Sequence, residues 1–508
     1  MSMKSGTFAL STAAAGNTQA ITAIGFRPDW AIFLVTDKTV PEGDPDTIGN
    51  QSLSAAFGFD DLTERVAIGI SPSNASDDRT GRAHTEADSI IVLDSTDVGG
   101  NGTIVGAAKV QTFDSDGFTI LIDDAFAAAY DVFYLVGAGM GTPKMLRFTE
   151  PGATGNQSYT GFGFQPAGGL LFSANFASDP PGSISGPATM SMGAFDAAGR
   201  QGAVAFRNSN APSPAVSQAD KYGYTGECLA FLGDAIVDGR AAFNAILTDG
   251  VQLNWLERAS TRRFWIVCWP ETAADMHVSN FASPTVTGNT VAVSGLGFQP
   301  EGLFHFSHCG VTSTQDVAQG QALFSLGHAT ATTERGCWGI SCRDGVDTNA
   351  VKGGFRDDEL YFKPNISGVD SGGMNDLQSI DIDGYTVISD DEDPNASRIF
   401  TVAWKSTPLE TRTRLVRYFH NTFVSRLAGR PIVHDVQGRD IPLEQLETDH
   451  WLYGDGPFFP SSSQGASLIT EPRAQYIEGI SRRGEEAEIV TSKESLLESL
   501  LRRLSRSG

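Results

Sequence analysis

Cysteine is scarce in this sequence, with five residues among 508. They are Cys228, Cys268, Cys309, Cys337 and Cys342, an odd number without a fixed spacing. Such sparse usage argues against a disulfide framework. Cys268 lies in the apolar run Phe264–Trp269, which indicates a buried strand in which the thiol acts as a small hydrophobic group.

Basic residues are also few, since 36 Lys and Arg face 60 Asp and Glu and leave a formal charge of −24. The segment from Pro408 onward is nearly neutral, so the negative charge is concentrated in residues 1–407. An acidic surface repels phosphate groups, and we therefore expect no binding to nucleic acid or to anionic membranes. The simplest role of the charge is to keep a large protein soluble.

Long hydrophobic runs are missing. No stretch approaches the roughly 18 apolar residues that a membrane helix needs, so the sequence predicts no membrane insertion. The residues that follow Met1 lack the apolar segment of a signal peptide. We therefore expect synthesis in a cytoplasm without export by the general route.

Motifs of catalysis are absent too. There is no nucleophile elbow, no His-Glu-x-x-His, no Walker loop and no dinucleotide-binding glycine pattern. The sequence thus predicts no enzyme, no cofactor and no catalytic or metal-binding residues. Paired carboxylates for glycoside cleavage remain open, because 60 acidic residues always supply pairs and only their separation in space decides.

Two kinds of sequence feature, a histidine-containing stretch and three acidic stretches, are weak candidates for binding a metal ion. In an extended strand His305 and His308 face opposite sides, so a half-buried strand end is the better interpretation of the His305–Cys309 stretch. The acidic stretches Asp114–Gly117, Asp381–Gly384 and Asp390–Asp393 could offer oxygens to calcium. None of them fits the loop of an EF-hand, and hairpin turns explain the first two.

The dominant feature of the sequence is an internal repeat built on the motif Gly-Phe-x-Pro. The motif glycine recurs after 138 residues and again after 134. A proline that withholds an N–H must end one ladder before the next strand begins, so each copy predicts a corner. The motif residues are Gly25, Phe26, Pro28, Gly163, Phe164, Pro166, Gly297, Phe298 and Pro300.

Further landmarks keep the same order in each copy. Arg65, Arg200 and Arg335 follow the motif at matching distances, and we expect each to form one structural ion pair or backbone contact. Asp-Gly pairs come next, at Asp116, Asp249 and Asp383, and predict hairpins with type I′ turns. Each copy closes on an aromatic strand, at Val132–Val136, Phe264–Val267 or Ile399–Val402. Four landmarks at one period indicate a true repeat.

Short strands with turn signals and few helical stretches predict an all-β fold of three tandem antiparallel β-sandwich or jelly-roll-like repeats. The predicted boundaries are 1–146, 147–281 and 282–407. A small mixed, partly helical C-terminal region, 408–508, completes the chain. Three units in one chain could also mimic a threefold arrangement within a monomer.

The C-terminal region has two helix-like patterns. Apolar residues spaced by four predict a helix over 409–428, and residues 430–470 are irregular, with Trp451, Tyr453 and Phe458 among their aromatics. These aromatics and Trp255 could stack on sugars, although core packing is the default. A capping box from Thr491 predicts a terminal helix that docks on the third unit or on another subunit. Its apolar face comprises Leu496, Leu497, Leu500, Leu501 and Leu504.

The opening Ser5–Phe8 and the corners Gly163–Pro166 and Gly297–Pro300 resemble tandem β-domains of structural proteins of tailed bacteriophages and prophages. The resemblance covers residues 5–406. The first corner departs from it at Arg27, where the other two have Gln. Its motifs are structural turns, so no active-site residues carry over.

This resemblance implies a non-enzymatic virion protein of tail or fibre type, made in the cytoplasm of a bacterial host and involved in host attachment or particle assembly. It implies other virion proteins as partners, a homo-oligomer with a trimer favoured, and a host-surface glycan or protein as a receptor. The alternatives are a head decoration protein and a carbohydrate-binding or polysaccharide-degrading protein.

Overall fold

The computed structural model divides the chain into two compact units, Met1–Thr407 and Pro408–Gly508. In the first unit the described residues form six antiparallel sheets in three pairs and contain no helix, which confirms the predicted all-β repeat fold. The residues described are 3–39, 53–72, 80–94, 103–177, 182–212, 215–234, 236–258, 261–272, 274–312, 319–343, 351–365, 372–406, 423–427, 430–434 and 440–442.

Repeat 1 contributes ten strands: β1 (Met3–Ala9), β2 (Thr18–Thr22), β3 (Trp30–Thr36), β4 (Ala55–Asp60), β5 (Arg65–Ser71), β6 (Gly81–Thr85), β7 (Ile90–Leu93), β8 (Ile104–Asp114), β9 (Gly117–Asp124) and β10 (Asp131–Gly137). Repeat 2 contributes eleven: β11 (Lys144–Thr149), β12 (Gly155–Thr160), β13 (Pro166–Ser173), β14 (Gly182–Ser185), β15 (Ala188–Asp196), β16 (Gln201–Pro212), β17 (Ala215–Tyr224), β18 (Leu229–Leu232), β19 (Val237–Leu247), β20 (Gly250–Glu257) and β21 (Arg263–Pro270). Repeat 3 contributes eleven: β22 (Ala274–Ala282), β23 (Thr290–Ser294), β24 (Gly302–Ser307), β25 (Gln319–Gly320), β26 (Ala322–Ala331), β27 (Glu334–Cys342), β28 (Val351–Arg356), β29 (Tyr361–Phe362), β30 (Met374–Asp381), β31 (Gly384–Asp391) and β32 (Arg398–Ser406).

Strand order is the same in all three repeats. The large sheets run β1-β10-β3-β4-β5-β6, β11-β21-β13-β15-β16-β17 and β22-β32-β24-β26-β27-β28, and the small sheets run β2-β9-β8-β7, β12-β20-β19-β18 and β23-β31-β30-β29. Two short strands cross between repeats, because β14 of repeat 2 pairs with β6 of repeat 1 and β25 of repeat 3 pairs with β17 of repeat 2. Repeats 2 and 3 therefore each extend the large sheet of the repeat before them.

Large and small sheets differ in how many of their faces are buried. Every residue of β3 is buried, which explains its continuous apolar sequence, since a strand covered on both faces does not alternate. The strands β9, β20 and β31 of the small sheets begin with one shared alternation of buried and half-buried residues. Each small sheet thus covers one face of its large sheet.

The second face of each large sheet packs against the other repeats. One apolar cluster contains buried residues of all three large sheets, whereas each repeat has a separate cluster between its own two sheets. In the shared cluster the Phe57 ring lies 4.8 Å from Phe172 and 5.9 Å from Phe304, measured between ring centroids. We call this cluster the common core.

Three fully buried tryptophans, one from each repeat, contact one another in the common core. The centroid distances are 5.3 Å for Trp30–Trp269, 5.3 Å for Trp269–Trp404 and 6.2 Å for Trp30–Trp404. In repeats 2 and 3 the tryptophan lies on the last strand, opposite Gly168 or Gly302. In repeat 1 the pair is exchanged, so Trp30 lies on β3 opposite Gly137 of β10.

Polar contacts join the repeats at their seams, and these contacts differ from seam to seam. Between repeats 1 and 3, Lys4 Nζ lies 2.5 Å from Glu334 Oε1, and Ser5 Oγ bonds His328 Nδ1 at 2.7 Å. Between repeats 1 and 2, Glu86 accepts bonds from Arg147 and Trp265, each at 2.9 Å.

The seam of repeats 2 and 3 includes a backbone contact and a polar cluster. The amide of Val278 donates to Asp196 Oδ2 at 2.8 Å. Lys221 of repeat 2 approaches the carbonyl of Cys309 at 3.4 Å, and burial lowers the pKa of this lysine to about 8. Each seam therefore has its own polar partners.

In the second unit the sequence-based prediction fails where residues are described. A short antiparallel sheet, β33 (Phe423–Leu427), β34 (Arg430–His434) and β35 (Asp440–Pro442), stands where we expected the end of the 409–428 helix and irregular chain. The rest of that helix and the terminal helix lie outside the described residues, as do Trp451, Tyr453, Phe458, Leu496, Leu497, Leu500, Leu501 and Leu504.

Candidate functional site

Each Gly-Phe-x-Pro corner wraps around the aspartate carboxylate of the hairpin in its own repeat. Asp116 Oδ1 accepts the N–H of Gly25 at 2.6 Å, and Asp383 Oδ1 accepts that of Gly297 at 2.6 Å. Gly163 donates to Asp249 in the same way. The second carboxylate oxygen accepts the N–H of the residue two positions earlier, Ala23, Gly161 or Gly295.

The backbone of the corner explains its glycine. Gly25, Gly163 and Gly297 have φ values of 89°, 81° and 82°, a region that side chains with a Cβ rarely adopt. In this conformation successive N–H groups point to one place and form an anion-binding hollow. Because the chain fills each hollow with its own aspartate, the corner is a structural lock and leaves no room for an external anion.

The other motif residues have matching surroundings in the three repeats. Phe26, Phe164 and Phe298 are half-buried and pack against the cluster between the two sheets of their own repeat. The prolines Pro28, Pro166 and Pro300 are buried at the entry to the large sheet. The structure therefore brings the motif residues together within each repeat but not between repeats.

The Asp-Gly hairpins form as predicted, but their turn type was predicted wrongly. Register pairs Asp114 with Gly117, so the two turn residues are Ser115 and Asp116, neither of which has the positive φ of a type I′ turn. The glycine begins the next strand instead. A Cβ on Gly117, Gly250 or Gly384 would come within 2.0 Å of a carbonyl oxygen on the neighbouring strand, which explains why glycine is needed there.

The repeated arginines each form an ion pair, which confirms the structural role predicted for them. Arg65 Nε lies 3.5 Å from Asp60, Arg200 Nε 2.6 Å from Asp196, and Arg335 Nε 2.5 Å from Asp376. The aspartates of the first two pairs are fully buried. A buried carboxylate requires such a partner.

The His305–Cys309 stretch is more deeply buried than expected. Both histidines are almost inaccessible, and burial lowers the pKa of His305 and of His308 to about 3, so both rings are neutral. His308 Nε2 donates to the carbonyl of Val311 at 2.6 Å, and His305 Nδ1 bonds Thr401. Throughout the described residues no group of three or more metal-binding side chains is found.

The acidic stretches weighed for calcium serve the hairpins and one buried ion pair. Asp114 accepts bonds from two threonine hydroxyls, and Asp381 accepts one from a serine and one from a threonine. Asp393 binds Lys363 Nζ at 2.6 Å. Asp390 of the third stretch lies in a different setting.

Asp390 belongs to a site that the sequence did not reveal, a buried acid that precedes the edge strand of each small sheet. We call Asp88, Glu227 and Glu359 the acid positions. The residue that follows each of them directs its carbonyl oxygen at Gly58, Gly193 or Gly327, where a Cβ would come within 2.0 Å. The repeat register could have revealed these acids, because each lies two residues before its edge strand.

Two of the three acid positions have an unusually high proton affinity. Burial raises the pKa of Asp88 to about 7, and the carboxyl of Asp123, which is hydrogen-bonded to it, adds to the shift. Burial raises the pKa of Glu359 to about 10, with Asp390 in the same role. In repeat 2 Glu227 instead binds Arg240 Nη1 at 2.8 Å.

Repeat 3 also has a surface cleft of about 460 Å³. Gln299, Glu301, Thr332 and Lys405 supply polar groups to its lining. Trp255, which was weighed as a sugar platform, is 1% exposed and packs in the interior of repeat 2, as the default interpretation expected. The cleft is thus a more suitable place for a small polar ligand than that tryptophan.

Comparison with known proteins does not assign a family. No protein-family model matches the sequence, and neither does any curated protein. Within the described residues, no helix has the length and hydropathy that crossing a bilayer requires.

Proposed function

We propose that this protein is a non-enzymatic structural component of a tailed-bacteriophage particle, an appendage of tail or fibre type. The observation that supports the proposal is the common core, in which three β-sandwiches of one chain bury one face of each large sheet. Such a chain supplies by itself the threefold set of β-domains that three separate chains would otherwise provide. Partners are other virion proteins.

The buried polar side chains have structural roles, as expected of a non-enzymatic scaffold. The repeated aspartates lock corners, the repeated arginines neutralise buried carboxylates, and the buried histidines are neutral. These roles are all structural. The loops differ in sequence between the repeats while the strand order is kept, as on scaffolds that present binding surfaces.

Immunogold labelling of intact particles, from a phage or prophage that encodes this chain, tests the proposal. We expect label on the tail or its fibres. Label over the head at a copy number near that of the capsid subunit would show a decoration protein instead, and particles without label would overturn the virion assignment. The C-terminal region is the proposed anchor, so deletion of 408–508 should remove the label from particles.

Assembly of the appendage stays a prediction as well. A trimer of chains is the favoured oligomer, although the common core already combines three repeats in one chain. Sedimentation of the purified full chain measures its mass in solution. A monomer would contradict the trimer and would mean that the three repeats of one chain take the place of three separate chains.

Glycan binding at the cleft of repeat 3 is a second candidate function. Thr332 supplies a hydroxyl group, and Lys405 and Gln299 supply donors at the lining. Binding of purified protein to host polysaccharide should be lost in Thr332→Trp, which fills the cleft. Depolymerisation of that polysaccharide by the full chain would contradict the non-enzymatic assignment.

A further inference from the structure

The three acid positions are the same element of the repeat, but their charge is neutralised in different ways. In repeat 2 Glu227 Oε1 accepts a bond from Arg240 at 2.8 Å, and Oε2 accepts one from the Tyr222 hydroxyl at 2.9 Å. Arg240 also bonds Glu257 across the strand pair at 3.2 Å. Repeat 2 therefore supplies a cation to its buried acid.

Repeat 3 lacks that cation. Register pairs Arg240 with Glu257 in repeat 2 and Met374 with Asp391 in repeat 3, so a methionine occupies the place of the arginine. A second change adds negative charge. Asp390 stands six residues after Gly384, where repeat 2 has Leu256 six residues after Gly250.

The result in repeat 3 is a buried carboxyl without a donor. Glu359 is 2% exposed, and no hydrogen-bond donor among the described residues reaches its Oε2 atom. Apart from burial, the carboxyl of Asp390, which is within hydrogen-bonding reach, acts most strongly on Glu359. Asp390 is exposed, so solvent has access to the pair from one side.

The charges around the pair do not balance. Asp358 and Asp376 also act on Glu359, and among the described residues Arg335 pairs with Asp376 and Arg356 pairs with Asp358. These arginines therefore neutralise Asp376 and Asp358, whereas burial keeps Glu359 protonated beside Asp390 near neutral pH. A divalent cation would displace that proton and neutralise the two carboxylates together.

We propose that Glu359 and Asp390 bind one divalent metal ion, with Ca²⁺ as the best fit. The two side chains offer only oxygen ligands, which Ca²⁺ and Mg²⁺ prefer, and Ca²⁺ accepts the more irregular geometry. No third metal-binding side chain completes a group among the described residues, so water supplies the remaining ligands. We therefore expect weak binding, with a dissociation constant of roughly 10⁻⁴ to 10⁻³ M, as in extracellular modules.

Repeat 1 provides the internal control. In repeat 1 the carboxyl of Asp88 is hydrogen-bonded to that of Asp123, and Ala107 occupies the register position that Arg240 has in repeat 2. Lys109, however, forms an ion pair with Asp123, and the counterpart of Lys109 in repeat 3 is Asp376. Because repeat 1 already has a cation of its own, the metal site belongs to repeat 3.

Isothermal titration calorimetry tests the site on the full chain. The protein is treated with EDTA, dialysed at pH 7.5 and titrated with CaCl₂ and, separately, with MgCl₂. We expect one saturable Ca²⁺ site per chain and weaker binding of Mg²⁺. A flat Ca²⁺ titration of the unaltered protein would overturn the proposal.

Two substitutions copy repeat 2 into repeat 3 and should both abolish the Ca²⁺ site. Asp390→Leu removes one ligand, and Met374→Arg supplies the guanidinium while it leaves every carboxylate in place. Both variants are expected to fold, because repeat 2 has Leu and Arg at the matching positions. If circular dichroism shows that either variant is unfolded, Glu359→Gln replaces it as the test of the ligand. Asp123→Leu is the matched control and should bind Ca²⁺ unchanged. Retention of binding in Met374→Arg and Asp390→Leu would mean non-specific surface binding and would refute the site.

Discussion

The corners and the common core show two kinds of likeness among the repeats. At the corners the same residues make the same bonds three times, from Gly25 to Asp116 and from Gly297 to Asp383. Where three tryptophans meet in the common core, each repeat provides one of them, but repeat 1 provides it from the opposite strand of the pair.

The difference follows from what each place requires. A corner needs a positive φ and a carboxylate at fixed positions in the backbone, and only a few residues meet those needs. A close-packed core needs volume at a point in space, and either strand can supply it if the facing residue is glycine. The acid positions lie between these cases, because the acid is kept while its neutralising partner changes.

The largest expected effect is loss of an indole from the common core. Trp269→Ala should lower the free energy of unfolding by about 4 kcal/mol, because it leaves a cavity between Trp30 and Trp404. Chemical denaturation followed by circular dichroism measures this change. A loss below about 1 kcal/mol would show that the three rings do not form a packed centre.

A double substitution sharpens the same point. Gly137→Trp alone should destabilise strongly, because a Cβ at this position already meets the Trp30 ring at 2.4 Å. The pair Trp30→Gly with Gly137→Trp gives repeat 1 the arrangement of repeats 2 and 3. We expect it to be more stable than the single substitution, and the opposite order would contradict the volume argument.

At the hairpins, Gly250→Ala should cost about 3 kcal/mol, since φ is 154° and the new Cβ would meet the Tyr159 carbonyl oxygen at 2.0 Å. Gly152→Ala is the matched control, because nothing lies within 4 Å of its Cβ. Urea denaturation of the two variants compares them directly. Equal stability would refute the close approach of the strands.

The corner carboxylate should have a smaller effect. Asp249→Ala removes the acceptor for the N–H groups of Gly161 and Gly163 at a half-buried position, which should cost about 1.5 kcal/mol. Asp249→Asn keeps one acceptor and should cost about half as much. If Asp116→Ala and Asp383→Ala differ widely from Asp249→Ala in thermal denaturation, the corners are not equivalent.

The smallest expected effect is a pH dependence at Asp88. Its folded-state pKa of about 7 is above the ordinary value, so its contribution to stability is present at low pH and is lost as the pH rises through about 7. Asp88→Asn cannot lose a proton. Relative to the unaltered protein it should therefore gain about 1 kcal/mol or more between pH 5 and pH 8, and a constant difference would contradict the shared proton.

Local signals in the sequence predicted the repeat, the all-β class, the corners and the arginine ion pairs, because each depends on residues close in the chain or on a recurring period. The turn type was missed since the register of Gly117 is set by contact with the neighbouring strand. The end of the 409–428 helix was wrong because β33 pairs with β34 and overrides an apolar spacing of four.

The common core and the partners that neutralise the acid positions depend on contacts between distant residues, which no local sequence pattern predicts. In repeat 1 the tryptophan lies on β3 and the glycine on β10, the reverse of repeats 2 and 3. A sequence alignment of the repeats therefore does not place the three tryptophans at one position. The partner that neutralises Glu227 lies on another strand, so Ala107 and Met374 could not be recognised as its replacements before the register was known.

The seams have a consequence for assembly. Any of the three repeats could deliver an indole to the centre, so the centre alone would tolerate the repeats in any order or from different chains. Glu86 binds the side chains of Arg147 and Trp265 from repeat 2, and Glu334 binds the side chain of Lys4 from repeat 1. These contacts give the three sandwiches an unambiguous sequence of neighbours, which should guard newly made chains against exchanging domains with one another.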